Sequence, residues 1–137
     1  MSHLFLSGGG KGNQATQLYR EFSATIPKGG WILYVPIAMP ESKRTFGNCF
    51  DWIRQELAPF GITKIDMWTD LTDRKLADLK SYAAVFIGGG NSFSLLNDLR
   101  KSGFDMLLKK FYMRGGVIAG SSAGAVILGK PMILKLQ

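Results

Sequence analysis

Three apolar runs in this sequence stop on small residues: "HLFLSGGGKGN", "YAAVFIGGGN" and "GVIAGSSAG". Each run is too short for a buried helix and is cut off by glycine, which is the pattern of a strand buried on both faces. Two more runs, "GWILYVP" and "TKIDMW", read the same way. Segments of helical period separate them: "QATQLYREFSA", "ESKRTFGNCFDWIRQELAPF", "LTDRKLADLKS", "NSFSLLNDLRKSG" and "FDMLLKKFYMRG". In the second of these, Phe46, Phe50, Ile53 and Leu57 fall on one face. "SSAGAVILG" begins a last helix, and "PMILK" reads as the start of a sixth strand. The order βαβαβαβααβα predicts an α/β fold, a three-layer, doubly wound and mostly parallel sheet. Such sheets bind ligands beyond the carboxyl ends of their strands, where this chain places its glycines.

The 137 residues are 46% apolar and suffice for one domain, 1–137. No apolar run reaches the ~18 residues of a membrane span. The N-terminus lacks the basic start and apolar stretch of a secretory signal. A lone cysteine, Cys49, excludes an internal disulfide, and its spacing with Phe46 and Ile53 reads as a core thiol. The expected location is cytoplasmic. The net charge of +7 is scattered as single residues and pairs, so it reads as solvated faces and predicts no nucleic-acid or membrane partner.

The three glycine ends differ in what they can do. Gly10, Gly12 and Ala15 fit G-x-G-x-x-A, but a dinucleotide site needs an acid at the end of the second strand, and "YVPIAMP" has none. Lys11 is followed by Gly12, which excludes a phosphate-binding P-loop. The first end is a tight turn, and neither a cofactor nor a metal is expected. At the second, Gly88, Gly89 and Gly90 allow backbone N–H groups to approach a ligand closely, Asn91 or Ser92 caps the next helix, and Asn91 is a candidate substrate contact. At the third, Gly120, Ser122 and Gly124 satisfy G-x-S-x-G between a strand and a helix. A nucleophile elbow crowds the residues two before and two after the serine, so both must be small, and this selects Ser122 over Ser121. The Ala123 N–H, with Gly89 or Gly90, would form an oxyanion hole.

At "IGGGNSFSLL" and "VIAGSSAGAVILG" the sequence resembles the dipeptidase E and cyanophycinase family of serine peptidases, which has the class I glutamine amidotransferase-like fold. The resemblance implies a serine hydrolase cleaving short peptides by an acyl-enzyme mechanism, in dipeptidase E those with an N-terminal aspartate. It gives Ser122 the nucleophile role, and Gly89 or Gly90 with Ala123 the oxyanion role. In the family a histidine and an acid follow the nucleophile segment. Here the only histidine is His3, at the wrong end of the first strand. The sequence is therefore expected to be the N-terminal portion of a longer peptidase domain, or a non-catalytic remnant, inactive on its own. An open edge at "PMILKL" would favour self-association. An esterase of the α/β-hydrolase type is the other alternative. It uses a His-Gly-Gly-Gly loop and opens on antiparallel strands, unlike "IGGGN" and the immediate βαβ start here.

Overall fold

The computed structural model describes residues 3–7, 13–121 and 124–125. Five strands form one sheet: β1 (His3–Ser7), β2 (Trp31–Val35), β3 (Ile65–Met67), β4 (Tyr82–Ile87) and β5 (Val117–Ser121). Their order is β1-β5-β4-β2-β3, and every pairing is parallel. Four helices cross between them: α1 (Asn13–Ala24), α2 (Phe46–Leu57), α3 (Ser92–Ser102) and α4 (Phe104–Met113). The expected α/β architecture is present, with helices on both faces of the sheet.

The two-residue period of the strands sorts the core into two layers. Ile32, Tyr34, Ala84, Phe86, Val117 and Ala119 face Leu18, Tyr19 and Phe22 of α1 and Cys49, Ile53 and Leu57 of α2. Leu33, Val35, Val85, Ile87 and Ile118 face Leu95 and Leu99 of α3 and Phe104, Leu108 and Phe111 of α4. Both residue types are apolar because both faces are covered, which is why the strands read as unbroken runs.

Strand order fixes where a ligand can sit. From β2 the chain moves outward to β3, whereas from β4 it moves the other way to β5. β2 and β4 are neighbours, so their connections part between them. That is the topological switch point at which a parallel sheet opens a crevice beyond its carboxyl ends.

Three boundaries differ from the sequence reading. The helix read from Glu41 begins at Phe46. Lys43 N–H and Arg44 N–H both donate to the Pro40 carbonyl, at 2.9 and 3.2 Å, and this turn uses up the preceding residues. The Thr45 side chain then caps α2 by accepting from Asn48 N–H at 3.1 Å. The helix read over "LTDRKLADLKS" is only a 3-10 turn at Leu76–Leu79. Asp70 accepts from the Thr72 N–H and hydroxyl at 2.9 and 2.6 Å, and Asp78 accepts from Lys75 N–H at 2.8 Å. These local bonds compete with helix formation. The strand read over "TKIDMW" narrows to Ile65–Met67. The proposed sixth strand at "PMILK" lies outside the described residues.

Candidate active site

The loop at residues 88–91 is built against the end of β2. Gly88 N–H donates to the Val35 carbonyl at 3.0 Å, and Asn91 N–H donates to the Ala38 carbonyl at 2.7 Å. Between these two anchors Gly90 adopts φ +144°, and a Cβ there would overlap the Ala38 carbonyl and the Met39 nitrogen. Only glycine fits both the dihedral and the approach. Gly88 lies over the ring of the buried Tyr34. The Asn91 side chain accepts from Ser94 N–H at 3.0 Å, so it caps α3 as expected and leaves its NH₂ group for other partners. Phe93, in the first turn of α3, is 83% exposed beside this loop.

The serine segment emerges next to the glycine loop. Gly120 pairs with Ile87 on one side and with Leu6 on the other. β5 ends at Ser121, and the chain is helical again at Gly124. A Cβ on Gly124 would overlap the Ile87 carbonyl, so this second elbow glycine rests on the last residue of β4. Ser122 and Ala123 themselves lie outside the described residues, as do Gly10 and Gly12 of the first glycine end. The fold thus brings together Gly89, Gly90, Asn91, Gly120 and Gly124 at the carboxyl edge, next to the switch point.

His3 is elsewhere. It pairs with Val117 at the start of β5, while Ser7 pairs with Ser121 at its end. The strand rise puts roughly 13 Å between the two levels. The His3 ring stacks on Phe5 at 5.9 Å between centroids. Cys49 is buried in the α2 layer, and burial pushes its thiol up, against the nearby Arg44 guanidinium, so the thiolate a nucleophile needs is disfavoured. No group of three or more His, Cys, Asp or Glu residues able to hold a metal occurs among the described residues. No helix among them is long and apolar enough to cross a membrane.

The sequence reading missed the support that residues 36–39 give the glycine loop. "YVPIAMP" was informative only as a strand end without an acid. Its small Ala38 was the available signal, since a backbone can approach closely only where side chains are short. The reading also missed Tyr34, whose phenol is pushed above its ordinary range chiefly by burial. Tyr19 is raised by burial and by Glu56, and Tyr82 is pushed up to about 12 by burial and by its hydrogen bond to Asp66. A phenol whose folded value is raised stabilises the fold fully below its unfolded value of ~10, and that contribution is lost as the pH rises through the folded value. Stability is therefore expected to be insensitive to these three groups below pH ~10 and to fall above it. A spectrophotometric titration of phenolate checks this: ionisation should lag behind free tyrosine and coincide with unfolding. Ordinary titration of all the tyrosines in a folded chain would contradict it.

The sequence model of Peptidase family S51 matches residues 4–135. The chain belongs to this family. Among curated relatives, an uncharacterized peptidase of Listeria innocua serovar 6a is 29% identical over 139 residues, covering 100% of this chain and 64% of the relative. An uncharacterized peptidase of Listeria monocytogenes serovar 1/2a is 28% identical, covering 100% of this chain and 65% of that one. The chain thus spans less than two thirds of the length of these two relatives. The crystal structure of a candidate peptidase E protein from Listeria monocytogenes EGD-e matches with a TM-score of 0.71 at 24% identity, covering 98% of this chain and 67% of that one. A peptidase from an acI-B1 actinobacterium also matches at 0.71, with 20% identity and 93% and 57% coverage. Both share the fold described above. The family and fold implied by the two glycine-serine motifs are those found.

Proposed function

We propose that this chain carries the nucleophile and oxyanion machinery of a serine-type peptidase of the dipeptidase E kind, acting on short peptides, with an N-terminal aspartate as the candidate specificity. The reading is carried by one juxtaposition: Gly124 packed on Ile87, which brings the G-x-S-x-G segment alongside the glycines that follow β4. In this reading Ser122 Oγ attacks the scissile carbonyl. The N–H groups of Ala123 and of Gly89 or Gly90 hold the developing oxyanion. Collapse expels the amine and leaves an acyl-serine, which water then hydrolyses. Phe93, exposed beside the loop, offers an apolar surface to the substrate.

Acylation needs two proton transfers, one from Ser122 and one to the leaving amine, and deacylation needs two more, one from the attacking water and one back to Ser122. The only histidine of these 137 residues, His3, is on the opposite edge of the sheet. The 137-residue chain is therefore expected to hydrolyse aspartyl dipeptides negligibly, read by chromatography of the released amino acids. Robust turnover that disappears in Ser122→Ala would show that another group serves as base. Robust turnover that survives it would contradict Ser122 as the nucleophile.

A further inference from the structure

A cleft of about 590 Å³ opens at the amino ends of β1, β5 and β4, on the edge of the sheet opposite the candidate active site. Its volume is in the range of small-molecule sites. The floor is apolar, formed by Leu79, Phe111 and Val117, and the exposed Lys80 and Arg114 stand on its rim with His3. We propose that this cleft binds a small organic anion, a single carboxylate or sulfonate on an apolar body.

Three observations support this ligand chemistry. No acidic residue lines the cleft. Among the described residues neither Lys80 nor Arg114 makes an ion pair. All ten Asp and Glu residues are among those described, and the remaining stretches add Lys11, Lys130 and Lys135 but no acid. Among the described residues no acidic side chain pairs with the rim, which leaves its cations open to an external anion. Nor are the cations spent on exposed helix ends. The carbonyls that close α4 already accept from Arg114 N–H, Gly115 N–H and Gly116 N–H, at 3.1, 3.0 and 2.9 Å. The Phe22 carbonyl at the end of α1 accepts from both the N–H and the hydroxyl of Thr25, at 3.0 and 2.7 Å. The floor is held in shape because Gly116 runs against the Phe111 ring, where a Cβ would not fit. A rigid apolar floor with unpaired cations at its mouth favours an amphiphilic monoanion over either a neutral hydrophobe or a bare ion.

The probe is 8-anilinonaphthalene-1-sulfonate, titrated against the 137-residue chain and followed by fluorescence, beside N-phenyl-1-naphthylamine, which has the same rings without the sulfonate. Saturable binding of one sulfonate per chain is expected, displaced by decanoate, with the neutral analogue weaker. The double variant Lys80→Gln/Arg114→Gln should lose about tenfold or more in affinity, the scale of a lost hydrogen bond to a charged group. Lys64→Gln/Lys101→Gln removes the same charge away from the cleft and should bind as the wild type does. Circular dichroism establishes that each variant is folded, and Arg114→Gln alone replaces the double variant if that fails to fold. Non-saturable binding, equal binding of the neutral analogue, or equal loss in both double variants would overturn the proposal.

Discussion

Replacing Gly90 by valine is expected to cost on the order of 3–5 kcal/mol, a large share of the stability of an ordinary domain. Two penalties add. The φ of +144° is one that L side chains rarely adopt, and the new Cβ would overlap the Ala38 carbonyl, forcing residues 36–39 off the end of β2. Gly61→Val separates the two. Gly61 also has a positive φ, +84°, but a Cβ there meets nothing within 4 Å. It should pay only the backbone strain, about 1–2 kcal/mol. Urea denaturation of the two variants checks this, with the Gly90 midpoint expected well below that of Gly61. Equal midpoints would mean that the glycine loop does not rest on residues 36–39. The same displacement would move the N–H groups of Gly89 and Gly90, so the loop proposed to hold an oxyanion is also a structural joint between β2 and β4.

Much of this joint was legible in the sequence, and the reason is physical. β2, β4 and β5 are covered on both faces, so they stand out as unbroken apolar runs ending in turn residues. The neighbourhood of β4 and β5 followed from their succession along the chain, and Ile87 opposite Gly120 bears it out. The place of β2 beside β4 was not legible. It depends on which edge the chain chooses after β3, and no local pattern encodes that. The start of α2 was misread because Glu41, Ser42, Lys43 and Arg44 suit a helix, while the Pro40 carbonyl draws the N–H groups of Lys43 and Arg44 into a turn. The 3-10 turn at Leu76–Leu79 was misread because the Asp and Thr residues that suit a helix cap also bond backbone groups locally, as Asp70 and Asp78 do here. The parallel pairing of β1 with β5 also weighs against the esterase alternative, whose fold opens on antiparallel strands. His3 was placed correctly at the amino edge, but its part in the cleft there depends on Arg114 and Lys80, which are distant in sequence.

The second large effect concerns Ser122. A peptide amine leaves only when protonated, so a chain without a histidine at this edge should not turn peptides over. An activated ester is different, because p-nitrophenolate leaves without a proton. Backbone donors that stabilise an oxyanion can then act with little help, and residual catalysis of about 10³-fold over water is the scale left when a triad member is missing. The 137-residue chain incubated with p-nitrophenyl acetate, digested and mapped by mass spectrometry, tests the assignment of the nucleophile directly. The account predicts a single acetyl group on Ser122 and loss of the excess p-nitrophenol release in Ser122→Ala. Acetylation confined to lysines, with release unchanged in Ser122→Ala, would contradict it.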